Sequence, residues 1–243
     1  MTLSFVWLQL LPPRPQRAPA VSGTNEPIVL VILDPGHGGL DSGTMKAGIL
    51  EKELALDVAH RAERLLQAHG FATLLTRADD TYVSLAGRVT IANEQRDCVF
   101  ISIHFDDATR PAATGVETYY AAHQISSKPG GVLSWLPFLQ RTSFEPPNTE
   151  SQSLASLIQD ALVRHTQAFD RGTRPQQFFV IANVHHPAVL VEGGFLTNAE
   201  EVSKLATSDY REQIAAAITD GAVRYRENLR EQRRPLTVSL PGG

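Results

Sequence analysis

The chain has a single cysteine, Cys98, in 243 residues. An intramolecular disulfide is therefore excluded, and the redox compartment cannot be read from bridges. The neighbours of Cys98, "DCVFISI", are those of a buried, inert thiol. Positive charge is also scarce: 22 Lys and Arg face 26 Asp and Glu, a formal net charge of −4, with no basic block of the kind that tracks a phosphate backbone. Nucleic acid is not an expected partner; carbohydrate, peptide or a small molecule fits better. Long apolar runs are missing as well. Phe5 to Leu11 is far shorter than the roughly 20 residues that span a bilayer, so no transmembrane anchor is expected. That stretch has the character of a signal-peptide core, with Ala18-Pro19-Ala20 as a cleavage site, but no positive charge precedes it and prolines and arginines intrude. No internal repeat is visible.

What is present is ordinary for a globular protein: 42% hydrophobic and 20% charged residues, enough for one sizeable core. Ile28 to Leu33 is a continuous aliphatic run, as expected for a strand buried on both faces. Glu51 to His69 repeats apolar residues at helical spacing and stops at Gly70. A strand from Phe71 to Thr76, a helix near Ser84 to Glu94 and a strand from Cys98 to Ile103 follow. Short joins between alternating strands and helices imply parallel pairing through right-handed crossovers. Further on, Gly115 to Ala121, Gln177 to Ile181 and Ala188 to Val191 read as strands, and Leu154 to Phe169 and Ser208 to Arg226 as helices.

The expected fold is α/β: a single domain with a mostly parallel twisted sheet of about six strands and helices on both faces. It would occupy residues 27–230, after an N-terminal segment 1–26 that is a signal remnant or linker, and before a flexible tail at 231–243. An insert at 124–151 interrupts the pattern. A loop of that length in a compact domain commonly acts as a lid or binding loop, with Trp135 to Leu139 as its apolar candidates; the plainer reading is a loop whose apolar residues cover part of the core.

Ligands of open α/β sheets bind beyond the carboxyl ends of the strands. His37 lies just past the first strand, His104 ends the third in "FISIHFDD", and Glu192 ends the strand in "PAVLVEGGF". Glu51 opens the first helix, which starts from the same edge. Two histidines and a glutamate suit Zn2+, with a fourth position left for water, and a further carboxylate nearby could act as general base. Taken singly, each residue has a plainer role as a helix-dipole acid, a turn or core histidine, or an arginine partner. Their joint placement at one edge makes that set improbable.

These residues sit in segments that resemble the zinc-dependent N-acetylmuramoyl-L-alanine amidases of the amidase-3 type, which cleave peptidoglycan. The resemblance runs from about Ile28 to Arg226. It rests on "DPGHGGLDSG", "GILEKELAL", "TRADDTYVSLAGR", "ISIHFD", "GVETYY", "RGTRPQQFFV", "PAVLVEGGFLTN" and "YREQIAAAITDGAVRY", in that order. It implies one zinc ion bound by His37, Glu51 and His104, with Glu192 as the catalytic carboxylate. The implied reaction is hydrolysis of the amide between N-acetylmuramic acid and the L-alanine of the stem peptide, for wall remodelling or daughter-cell separation.

Partners would be peptidoglycan or muropeptides, with room for an activator protein. The chain is expected to be a monomer exported to the periplasm or cell envelope. Phe105 and Asp106 stand where the family usually has alanine and asparagine, which puts substrate preference in question. Asp106 is accordingly a candidate substrate contact, as are Gly193, where substrate or backbone could approach Glu192, and His186, whose plainer reading is one of a solvated loop pair with His185. Arg77 and Arg88 match family positions but read as structural, tying the loop with Asp79 and Asp80 to the next helix. Two rival functions remain: a zinc amidohydrolase or peptidase acting on soluble muropeptides, and a non-catalytic wall-binding module.

Overall fold

A computed structural model describes residues 30–106, 112–124 and 148–233. The expectations for Phe5 to Leu11, Ala18 to Ala20 and Trp135 to Leu139 lie outside the described residues, as does most of the insert. The elements, in chain order, are β1 (Leu30–Pro35), β2 (Met45–Lys46), β3 (Ile49–Leu50), α1 (Glu51–Ala68), β4 (Ala72–Leu75), α2 (Leu85–Asn93), β5 (Cys98–Asp106), β6 (Val116–Tyr120), α3 (Thr149–Thr166), β7 (Asp170–Pro175), α4 (Phe179–Asn183), β8 (Ala188–Phe195), α5 (Ala199–Leu205) and α6 (Ser208–Arg233).

Six strands form one sheet in the order β4-β1-β5-β8-β6-β7. β1 pairs in parallel with β4 and β5, β5 with β8, and β6 with β7; among the described residues of this sheet, only β6 and β8 are antiparallel. Alternate residues of the central strands feed two cores, as the pleat requires. Val31, Leu33, Val99, Ile101, Val189 and Val191 pack with α1, α3 and α6. Leu30, Ile32, Phe100 and Leu190 face α2 and α4. Cys98 lies in this second core, where burial pushes its thiol up to about 12, so it is inert as expected.

Local signals fix the helix ends. Ser84 caps α2 by accepting from Gly87 N at 3.1 Å, and Asn148 caps α3 by accepting from Ser151 N at 3.1 Å. α1 stops where Gly70 takes a φ of +77°, as its position in the sequence implied. α6 runs on to Arg233, three residues into the stretch expected to be tail.

One expected strand is absent from its place in the sequence. The apolar run Gln177 to Ile181 is not a strand; Phe179–Asn183 is a helical turn whose Val180, Ile181 and Ala182 are buried against the sheet. The sixth strand is instead β7, whose sequence DRGTRP is polar. At a sheet edge a strand can be short, charged and closed by proline, which erases the apolar signal.

α1 and α6 are tied by charge as well as packing. Asp57 accepts from Arg61 Nε at 2.8 Å and Arg211 Nε at 2.5 Å, and Arg61 also reaches Glu212 at 2.7 Å. Burial opposes the charge on Asp57, but the two guanidiniums outweigh it and hold its carboxyl below the usual range. A depressed folded pKa contributes stability that is complete above the unfolded value of about 3.9 and is lost as pH falls through the folded value. The melting temperature of wild type should therefore exceed that of Asp57→Asn at neutral pH, and the gap should close in acid. A gap that stays constant from pH 7 to 3 would remove Asp57 from the clamp.

Candidate metal centre

The loop after β1 begins with Gly36 and His37, and its shape is set by what it must pass. A Cβ on Gly36 would lie 2.3 to 2.6 Å from the His104 ring, so only glycine lets the loop cross the face of that imidazole. His37 itself takes a φ of 59°, a left-handed conformation that turns its side chain back toward β5.

Two buried arginines hold the turn. Arg88 donates to Asp34 Oδ1 at 2.7 Å, Pro35 O at 2.6 Å and His37 O at 2.6 Å. Arg77 donates to Pro35 O at 3.0 Å, Gly36 O at 2.7 Å and Lys52 O at 2.8 Å. Both were expected to be structural, and they are, but not as surface partners of Asp79 and Asp80. Arg88 pairs with Asp34 inside the protein, Arg77 takes only the backbone carbonyl of Asp79, and Asp80 pairs with Lys52 at 2.7 Å.

Glu51 is the first residue of α1 and is buried. Its Oε1 lies 2.9 Å from both His37 Nε2 and His104 Nδ1, while Oε2 accepts from Thr44 N at 2.9 Å. The far side of His37 is fixed by Asp41, 2.9 Å from Nδ1, which leaves Nε2 aimed inward. Burial penalises the Glu51 carboxylate, yet the hydrogen bonds from His104 and His37 hold its pKa far below the usual range. One ligand atom from each of these three residues lies within 4.8 Å of the others, so His37, Glu51 and His104 could hold a metal ion.

Glu192 completes the row. It stands opposite His104 in the β5–β8 register and opposite Glu117 in the β8–β6 register, so all three side chains share one face of the sheet. Its Oε2 is buried and has no hydrogen-bond partner among the described residues. Burial, reinforced by the charges of Glu51, Asp106 and Glu117, pushes its pKa well above the ordinary carboxylate value. Buried carboxylates crowded beside imidazoles form a donor set that a divalent cation would stabilise, by supplying the charge the cluster lacks.

The amidase-3 family, described as N-acetylmuramoyl-L-alanine amidase, matches residues 31–224. The chain belongs to this family. It is 37% identical over 195 residues to N-acetylmuramoyl-L-alanine amidase LytC of Bacillus subtilis, covering 80% of this chain and 35% of LytC. It is 33% identical over 218 residues to the amidase AmiA of Escherichia coli, covering 81% of this chain and 75% of AmiA. The chain thus spans about a third of the length of LytC. The crystal structure of an N-acetylmuramoyl-L-alanine amidase from Clostridium difficile superposes with a TM-score of 0.69 at 30% identity, over 83% of this chain and 98% of that one.

Of the residues singled out in the sequence, the fold brings His37, Glu51, His104 and Glu192 to one sheet edge, with Asp106 at the end of β5 close enough to Glu192 to perturb it. Two others are placed elsewhere. A Cβ on Gly193 would meet Phe105 at 2.8 Å and Ile214 at 3.3 Å, so this glycine answers a packing demand on the core side of β8 rather than admitting substrate. Phe105 is buried in that same core, which accounts for its departure from alanine as a packing choice. His186 precedes the amino end of β8, at the opposite edge of the sheet, where it lines a separate cavity of about 450 Å3 with Arg96, Asp97 and Cys98.

Proposed function

We propose that this edge hydrolyses the amide joining the lactyl group of N-acetylmuramic acid to the L-alanine of the peptidoglycan stem peptide, with one zinc ion held by His37, Glu51 and His104. The donor set of two imidazole nitrogens and one carboxylate oxygen suits zinc and leaves a coordination position open. When bound there, zinc supplies the Lewis acidity that activates water at neutral pH and polarises a carbonyl.

Glu192 performs the proton transfer. Its Oε2 accepts a proton from the attacking water as the new C–O bond forms, and returns it to the alanine nitrogen as the C–N bond breaks. The products are a free lactyl carboxyl and a peptide with a free α-amino group. The observation that carries this assignment is the buried Oε2 of Glu192, left without a hydrogen-bond partner among the described residues and one strand from His104. Burial first, then the neighbouring carboxylates, raises the pKa of this carboxyl above its ordinary value, the direction that strengthens it as a proton acceptor.

A peptidoglycan substrate implies that the chain works in the cell envelope after export, as a monomer or with an activator protein. No helix among the described residues is long and apolar enough to cross a membrane. Mass spectrometry of the soluble products from purified peptidoglycan should find stem peptides beginning with free L-alanine, lost on chelation and restored by zinc. Cleavage at another bond, or release unaffected by the chelator, would overturn the assignment.

A further inference from the structure

The row of side chains that begins at His37 continues past Glu192 to the last two strands of the sheet. Glu117 on β6 is almost wholly buried, with 2% of its side chain exposed, and both of its oxygens are engaged. Tyr119 Oη donates to Oε1 at 2.5 Å. Two guanidiniums from β7 converge on Oε2: Arg171 Nε at 3.3 Å and Arg174 Nε at 3.5 Å. One carboxylate thus faces two permanent cations, and this end of the row carries excess positive charge, whereas Glu51, Asp106 and Glu192 make the rest acidic.

The two arginines are not equivalent. Arg171 is 24% exposed and lies over the Phe195 ring at 4.7 Å, so packing fixes it. Arg174 is 53% exposed, and its contact with Glu117 is its one ion pair among the described residues. Most of its donors are turned to neither backbone nor carboxylate there. Its place is set by register: it pairs with Tyr119 across β6 and β7, two residues from the Glu117 that stands opposite Glu192.

We propose that Arg174, steered by Glu117 and backed by Arg171, is a specificity-determining residue that binds the carboxylate next along the stem peptide from L-alanine. This rests on the amidase reading of the same edge. A guanidinium offers a carboxylate two parallel hydrogen bonds, and a charge-assisted pair of this kind at a half-exposed site is worth about tenfold in affinity. The sugar half of the substrate carries no anion beside the scissile amide, so the cationic end of the row also gives the direction of binding: peptide toward β7, glycan toward β1.

The test uses synthetic muramoyl tripeptides, L-Ala-γ-D-Glu-L-Lys, in which the glutamate α-carboxyl is free or amidated and the terminal carboxyl is blocked in both. A third substrate, amidated at glutamate with a free terminal carboxyl, separates the two sources of negative charge. Wild type should prefer the free glutamate carboxyl by about tenfold in kcat/KM, mainly through KM. Arg174→Ala should bring that ratio close to one, and Arg174→Lys should retain part of it. Equal cleavage of all three substrates by wild type, a preference for the terminal carboxyl, or an undiminished ratio in Arg174→Ala would overturn the subsite and leave the amidase reading standing. Failure to cleave any of them would overturn both.

Discussion

Glu192→Gln is expected to retain one zinc ion per chain and to lose about a hundred- to ten-thousand-fold in kcat, the usual contribution of a positioned general acid–base. Glutamine matches glutamate in shape but cannot take a proton from water, so the change removes the chemistry and keeps the packing. The residue sits in β8 among Glu51, Asp106 and Glu117, whose charges, with burial, raise its pKa. Removing one carboxylate from that group should not lower the melting temperature of the apoprotein. Kinetics of peptide release, paired with metal content by mass spectrometry, checks both halves. A fully active Glu192→Gln would take this carboxylate out of the mechanism, and a zinc-free one would make it a ligand.

Arg88→Ala is expected to cost about 3–5 kcal/mol of folding free energy, as breaking one side of a buried ion pair commonly does. Asp34 and Arg88 are 1% and 3% exposed in their side chains and meet at 2.7 Å. Asp34 also accepts from Thr76 Oγ1 at 2.6 Å and Ser102 Oγ at 2.8 Å, but hydroxyl donors do not replace the lost positive charge. The same guanidinium supports His37 O, so zinc affinity should fall in any fraction that still folds. Arg88→Lys keeps the charge without the planar fork and should lie between the two. Urea unfolding of the three proteins reads the effect directly. A loss below about 1 kcal/mol for Arg88→Ala would make the pair no more consequential than one on the surface.

The metal-site candidates were legible in the sequence because strand polarity does most of the work. Parallel pairing of β1, β5 and β8 sends the chain past His37, His104 and Glu192 at one edge, and a helix that starts from that edge brings Glu51 with it. Single residues that depend on tertiary direction were not legible. Gly193 follows Glu192 in sequence, yet the pleat turns it to the opposite face, toward Phe105 and Ile214. His186 looks close to Glu192 along the chain, but a whole strand length separates them. β7 escaped because a polar edge strand lacks alternation, and with it went the pairing of Arg171 and Arg174 with Glu117. The 54-residue span between Asp34 and Arg88 has no local signature; an aspartate inside an aliphatic strand, "LVILDP", was the one hint that a buried cation must meet it.

The proposed reaction depends on a single divalent cation gathered by three side chains from separate elements. Anomalous diffraction from zinc-loaded crystals, collected on either side of the zinc absorption edge, locates that cation without assumption. The expected result is one peak per chain, bounded by His37 Nε2, His104 Nδ1 and a carboxylate oxygen of Glu51, with Glu192 adjacent but not bonded to it. A peak held by any other set of residues, or no peak in protein that is active and fully loaded, would contradict it.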